Sequence, residues 1–263
     1  MSASHGPILR PTSGQGHVDL GSGQGHVDLG NEYASGPGEG CESAQRLGPG
    51  VPCQTSRNPR AGQWQGEHLS QKMIADYKRF IMTDGEGIRC SLYVSGCPFQ
   101  CEGCWNESIW NFRAGQPYTR ELEDRIISDL SKTYVQGMTF LGGEPMLNTP
   151  VLLPLARRIR EEFGTTRDIW CWTGYTWEEL MRAGETADKL ELLSLTDVLV
   201  DGRYIESQKD LLLQFRGSSN QRIIDVPASL ATGECMTWSR TRDLAHHIPE
   251  IYTKERLAGE GSH

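Results

Sequence analysis

Apolar residues recur at regular spacing in short segments between residues 73 and 226, and the first 72 residues show no such pattern. Short runs rich in β-branched and aromatic residues predict strands, and a period of about 3.6 residues predicts amphipathic helices. Thr119 is a suitable N-cap for the first helix. The predicted strands are Arg89–Val94, Gly137–Leu141, Asp168–Thr173, Asp197–Val200 and Gln221–Val226, and the predicted helices are Thr119–Leu130, Val151–Phe163 and Thr176–Ala183.

The order of these elements predicts an α/β fold. Strands that alternate with helices are typical of parallel βα units. Residues 73–226 are too few for an eight-stranded barrel of about 250 residues, so we expect a partial, open parallel barrel. In such sheets ligands bind at the carboxyl ends of the strands.

Residues 1–72 have the composition of a leader outside this domain. They are rich in Gly, Ser, Pro and Gln, and the sequence SGQGHVDLG occurs at Ser13–Gly21 and again at Ser22–Gly30. Two copies without an apolar face are typical of a low-complexity segment, either disordered or vector-derived. We therefore predict a leader over 1–72, a folded domain over 73–226 and a tail of unassigned role over 227–263.

Charge and hydropathy narrow the class of protein. The net charge is −8 with a pI of about 5.4 and no basic cluster, which argues against nucleic acid as a partner. No apolar run approaches the roughly 18 residues of a membrane span, and the first 30 residues lack the apolar core of a secretory signal. We expect a cytoplasmic protein, in which eight cysteines favour metal ligation over disulfides.

Three of the cysteines form the strongest motif, Cys97, Cys101 and Cys104 in the spacing CxxxCxxC after a predicted strand. Three thiolates on one loop can hold three irons of a cubane and leave the fourth iron open, whereas clusters for electron transfer usually have four cysteines. A structural zinc site or a group of core cysteines is the alternative.

A fourth ligand is not evident. Zinc would need one, and no histidine lies between Met73 and Ala245. Cys90 could serve, but on its strand it shares a face with Leu92 and Val94, which favours a core thiol. The same lack of histidine leaves no acid–base pair to predict as catalytic.

Two further motifs follow predicted strands. Gly142-Gly143-Glu144-Pro145 would let a ligand approach the backbone, and Glu144 could accept a charge-assisted hydrogen bond from an ammonium group. In Asp201-Gly202-Arg203, a carboxylate that ends an apolar strand needs a partner, and Arg203 could clamp a carboxylate. An ordinary turn is the alternative for the first motif, and a turn with a solvated ion pair for the second.

The chain resembles known enzymes in these and several other motifs. The triad resembles the radical S-adenosylmethionine superfamily, and the wider stretch resembles the activating proteins of anaerobic (class III) ribonucleoside-triphosphate reductases. The resemblance covers about residues 73–226. Its motifs are DGEGIR at 84–89, Gly96-Cys97, Cys104-Trp105-Asn106, Trp110, Asp168-Ile169-Trp170, WTGY at 172–175, VDGRY at 200–204 and RGSSNQ at 216–221.

The resemblance implies a fold, a reaction and a set of site residues. The fold would be the open partial (βα) barrel of the radical S-adenosylmethionine type. Cys97, Cys101 and Cys104 would hold a [4Fe–4S] cluster that reductively cleaves S-adenosylmethionine. The cofactor would contact Gly142, Gly143, Glu144, Thr173, Gly174, Asp201 and Arg203, with Thr173 and Gly174 along the adenosine.

The implied partners are the large subunit of an anaerobic ribonucleoside-triphosphate reductase, which would receive a glycyl radical, and a flavodoxin-type reductant. Two alternatives stay open. One is activation of another glycyl-radical enzyme such as a formate-lyase. The other is a non-catalytic four-cysteine iron–sulfur or zinc protein that uses Cys90.

Overall fold

A seven-stranded sheet forms the centre of the part of the chain that the computed structural model describes, residues 64–182 and 186–240. These residues belong to one compact unit. The strands are β1 (Met73–Ile81), β2 (Ile88–Val94), β3 (Gln116–Pro117), β4 (Val135–Gly142), β5 (Asp168–Trp172), β6 (Val198–Asp201) and β7 (Arg222–Asp225). Their order in the sheet is β3-β1-β2-β4-β5-β6-β7.

Six helices accompany the sheet within the residues that the structure describes. They are α1 (Gly66–Leu69), α2 (Arg120–Leu130), α3 (Thr149–Phe163), α4 (Trp177–Leu180), α5 (Ala187–Ser194) and α6 (Val226–Thr232), with short 3-10 helices at Glu107–Ile109, Pro145–Leu147 and Glu206–Gln208. The longest has 15 residues, and none in the described ranges is long and apolar enough to cross a membrane.

The sheet is mixed. β2, β4, β5 and β6 are parallel, as predicted for an α/β fold, while β1, β3 and β7 are antiparallel to their neighbours. The expectation of a parallel fifth strand is therefore wrong for β7. A parallel neighbour needs a long crossover, usually through an α-helix. Between β6 and β7 the chain forms only the 3-10 helix Glu206–Gln208, so it returns antiparallel.

All the predicted strands and helices are present, with shifted ends. Thr119 caps α2 as predicted, since its side chain accepts a hydrogen bond from the Leu122 backbone N–H at 3.3 Å. The third predicted helix is shorter than expected: α4 starts with a capping box on Thr176 and ends at Leu180, and Ala183 lies outside the described residues. Strands β1 and β3 and helices α1, α5 and α6 were not predicted.

The two faces of the sheet pack in different hydrophobic clusters. Cys90, Leu92 and Val94 are fully buried on one face, together with the apolar sides of α2, α3 and α5. Trp170 and Val200 belong to a second cluster, on the opposite face. The prediction that Cys90 faces the core is confirmed.

The predicted leader and tail are only partly described. The nine-residue repeat, Cys41, Cys53 and everything from residue 241 onward lie outside the described residues. Residues 64–72, which composition assigns to the leader, include α1 and contact the folded domain. Helix α6 begins at the last residue of the predicted domain and continues into the predicted tail.

Candidate functional site

The three clustered cysteines lie on a loop whose two ends are joined by backbone hydrogen bonds. This cysteine loop (residues 96–110) begins two residues after β2 and ends at the 3-10 helix Glu107–Ile109. Backbone N–H groups of Gly96 and Cys97 donate to the carbonyl oxygens of Ile109 and Trp110, at 2.8 and 2.9 Å. Gly103 adopts a φ of 72°, a left-handed conformation that glycine adopts without strain. These hydrogen bonds close the loop, which carries its three cysteines at the carboxyl end of β2.

A second loop, GGEP (Gly142–Pro145), is bonded to the first. Gly143 N–H donates to Val94 O, and Glu144 N–H donates to Gly96 O, both at 2.7 Å. The Asn106 side chain donates to Gly142 O at 3.2 Å. A Cβ on Gly143 would lie 2.4 Å from Gly96 O, so glycine is needed here for the two backbones to approach each other.

The Glu144 carboxylate connects the ends of β4 and β5. Its Oε1 accepts hydrogen bonds from Thr173 Oγ1 at 2.7 Å and from Met146 N–H at 2.9 Å, and its Oε2 accepts one from Gly174 N–H at 2.8 Å. A carboxylate has about four acceptor positions, and donors among the described residues fill three of them, leaving one on Oε2. Burial raises the pKa of Glu144 to about 7 against the opposing effect of these donors. The structure thus brings Glu144, Thr173 and Gly174 together.

The carboxylate of Asp201 has partners within the protein. Its side chain is 1% exposed. It accepts hydrogen bonds from Arg222 Nε at 3.0 Å, from Arg222 Nη2 and from Trp177 N–H at 2.7 Å. Burial raises the pKa of Asp201, and Arg222 opposes that shift. The partner that sequence analysis required for this carboxylate is therefore Arg222, on the neighbouring strand.

Replacing Arg222 with alanine should destabilise the protein by about 3 kcal/mol, because it leaves the buried Asp201 carboxylate without its cation. Arg157→Ala is the matched control, since Arg157 pairs with Glu191 at the surface and its loss should cost less than about 1 kcal/mol. Urea denaturation measures both. Equal small losses would show that Asp201 does not depend on Arg222.

Arg203 lies against the cysteine loop. Its guanidinium carbon is 4.4 Å from the centre of the Phe99 ring, and Nη2 donates to Glu179 Oε1 at 3.0 Å. Its charge also opposes the rise in the pKa of the Cys101 thiol, which burial causes first and Cys104 second. Asp201 and Arg203 therefore contact different partners although they are two residues apart.

Sequence reasoning missed two residues of this region. Asn148 is fully buried and its side-chain amide donates to Ser95 O and Glu144 O, each at 3.0 Å. Phe99 packs so closely on Gly174 that a Cβ there would lie 2.5 Å from the ring. Neither has a sequence signal beyond its position in a loop after a strand.

Comparison with known proteins assigns the family. A family model described as a 4Fe-4S single cluster domain matches residues 83–224. The anaerobic ribonucleoside-triphosphate reductase-activating protein of Salmonella typhi is 44% identical over 144 residues, which are 53% of this chain and 90% of the relative. The chain belongs to the family of anaerobic ribonucleoside-triphosphate reductase-activating proteins. Members from Escherichia coli K12 and Enterobacteria phage T4 are 44% and 39% identical, over 53% and 56% of this chain and 90% and 92% of their own lengths.

A solved structure, QueE from Escherichia coli, is 12% identical and covers 54% of this chain and 75% of its own. Its TM-score of 0.31 is too low to establish a shared fold.

The cysteine loop carries three thiols, the ligand type that iron–sulfur clusters take. Within 64–182 and 186–240, no three His, Cys, Asp or Glu side chains are arranged around a single metal ion. A [4Fe–4S] cluster instead takes one cysteine per iron, so its sulfurs do not converge on one point. Burial, followed by the nearby Glu144 carboxylate, raises the pKa of the Cys97 thiol. Because iron binds thiolates, loading the cluster would release protons from these thiols.

Proposed function

We propose that this activating protein holds one [4Fe–4S] cluster on Cys97, Cys101 and Cys104 and binds S-adenosylmethionine at the fourth iron. It thereby generates a glycyl radical on an anaerobic ribonucleoside-triphosphate reductase. The observation that carries the proposal is the bonding of the cysteine loop to the GGEP loop, because it sets Glu144 beside the triad. A cluster held by Cys97, Cys101 and Cys104 would supply one-electron reductive cleavage of the cofactor's sulfonium, and an external reductant would restore the electron.

Glu144 is the residue that we assign to the cofactor's ammonium group. Its free acceptor position on Oε2 suits an N–H donor, and a charged donor makes that bond stronger than a neutral one. Thr173 donates to Oε1 of Glu144 and Gly174 N–H donates to Oε2, so they orient this carboxylate in addition to lining the adenosine. Gly142 and Gly143 let this carboxylate approach the triad by allowing the two loops to touch.

Asp201 and Arg203 have different proposed roles. Arg203, whose guanidinium lies over the Phe99 ring, would clamp the cofactor carboxylate beside the cysteine loop. Asp201, whose oxygens are engaged by Arg222 and Trp177, acts as a positioning residue for the end of β6.

The proposed function also implies a fold type, partner proteins and a cellular location. We propose that the parallel strands β2, β4, β5 and β6 form the open partial parallel barrel of the radical S-adenosylmethionine type, with the site at the carboxyl ends of β2, β4 and β5. We propose the large subunit of the reductase and a flavodoxin-type reductant as partners, in the cytoplasm. The acidic net charge of −8 favours neither nucleic acid nor a membrane surface as a further partner.

Adding S-adenosylmethionine to the reduced, reconstituted protein is expected to change the g-values of the cluster's electron paramagnetic resonance signal, because the cofactor would bind an iron that no cysteine occupies. Cys90→Ala, which removes the candidate fourth cysteine ligand, should show the same change. A spectrum that the cofactor leaves unaltered would favour a four-cysteine site without this chemistry.

A further inference from the structure

Residues 64–70 form a strap that crosses the domain beside the cysteine loop. Lys189 Nζ donates to the backbone carbonyl of Trp64 at 2.8 Å, and Ser70 Oγ donates to Asn148 Oδ1 at 2.9 Å. Between these ends, Gly66 is buried so closely that a Cβ would lie 2.5 Å from Thr149 Oγ1. The strap is therefore fixed at both ends and in its middle by residues of the folded domain.

The strap reaches the cysteine loop through one side chain. The Trp64 ring packs edge-on against Phe99, with ring centres 5.4 Å apart and planes at 69°. Phe99 also packs edge-on against Tyr175, with centres 5.1 Å apart, and Arg203 lies over its ring. Phe99 is thus enclosed by the strap, by the segment after β5 and by the segment after β6.

Phe99 lies between the first two cysteines of the triad. It is two residues from each of them, so it lies on the same short backbone segment. Contacts that hold the Phe99 ring therefore restrict the backbone segment that carries Cys97 and Cys101.

The lysine that anchors the strap is fully buried, which is rare for this residue type unless its charge is partnered. Its ammonium group contacts the Trp64 carbonyl and lies 4.9 Å from the centre of the Tyr175 ring. Lys189 thus joins α5 to two of the aromatic residues in the chain Trp64–Phe99–Tyr175. Lys189 therefore connects the strap to the aromatic residues that pack against the cysteine loop.

We propose that the strap positions the cysteine loop for cluster binding, with Trp64 as its positioning residue and Lys189 as its anchor. The proposal rests on the proposed function, because the loop is taken to bind the cluster. It extends the folded domain to Trp64, upstream of the boundary at residue 73 that composition suggests.

The test uses full-length Trp64→Ala, with Trp64→Phe as the conservative variant and Trp238→Ala as the matched control. Trp238 is also partly buried and makes an edge-on contact, with Trp170, but it packs against the second hydrophobic cluster. Labelling of the iron-free proteins with N-ethylmaleimide is followed for each cysteine by mass spectrometry. Release of iron from the reconstituted proteins to a chelator is the second readout.

In Trp64→Ala, we expect labelling of Cys97, Cys101 and Cys104 to become at least threefold faster, while the buried Cys90 and Cys171 keep their wild-type rates. Iron release should accelerate by a similar factor, and Trp64→Phe should restore both rates towards wild type. Unchanged loop labelling in Trp64→Ala, or equal acceleration in Trp238→Ala, would overturn the proposal. Labelling needs neither cluster nor cofactor, so unchanged labelling would refute the role of the strap alone. A wild-type protein that binds no cluster would instead refute the proposed function.

Discussion

Single replacement of Cys97, Cys101 or Cys104 with alanine is expected to abolish the electron paramagnetic resonance signal of the reduced cluster and the formation of 5′-deoxyadenosine. Each thiolate would hold a different iron, and the loop offers no replacement donor at the same position. Iron and sulfide analysis, the spectrum at low temperature and chromatography of the nucleoside product measure the effect.

The remaining cysteines of the described residues provide matched controls. Cys90 and Cys171 are fully buried in the core and Cys235 is half-buried. Alanine at any of them should leave cluster content and cofactor cleavage near wild type, at a cost of about 1 kcal/mol in stability from the smaller side chain. Loss of the cluster in Cys90→Ala alone would refute the three-cysteine site.

Glu144→Gln should weaken binding of S-adenosylmethionine at least tenfold while the cluster is retained. Glutamine keeps the shape of the side chain and one acceptor oxygen, but it removes the charge that attracts the ammonium group, and a hydrogen bond to a charged group is worth about 1.5–3 kcal/mol. Calorimetric titration of the reconstituted protein with the cofactor measures the dissociation constant.

The matched control for Glu144 is Glu123→Gln. Glu123 is also buried, but it lies on α2 and pairs with Arg158 and Arg120. It should leave cofactor affinity unchanged. If Glu144→Gln binds the cofactor as wild type does, the ammonium site lies elsewhere.

The elements that sequence predicts well are those whose local pattern agrees with their packing. Along β2, alternation assigns Cys90, Leu92 and Val94 to one buried face, and the structure buries all three. Helix α2 combines a threonine cap with an apolar stripe, so both its start and its buried side were predictable.

Elements that were missed have local irregularities. The pairing of β1 with β2 shifts register between Ile74 and Asp76 and again between Lys78 and Ile81, which breaks the alternation that marks a strand. Helix α5 buries Lys189 beside Leu192 and Leu193, so its buried face does not appear apolar in the sequence.

The site was predictable as motifs at strand ends, but its internal contacts were not. The sequence indicates that Asp201 needs a partner, yet Arg222 is found only when β7 returns antiparallel beside β6. Trp64 lies in a glycine- and glutamine-rich stretch, and its contact with Lys189 spans 125 positions along the chain. No local pattern carries information over that distance.

The most direct test of the central claim is radical formation on the partner enzyme. The reconstituted protein is reduced anaerobically with S-adenosylmethionine and mixed with an anaerobic ribonucleoside-triphosphate reductase from the same source. The proposed function predicts the doublet of a glycyl radical on the reductase, accompanied by 5′-deoxyadenosine, and no doublet when Cys97→Ala replaces the wild type. A doublet that forms on a formate-lyase and not on the reductase would contradict it.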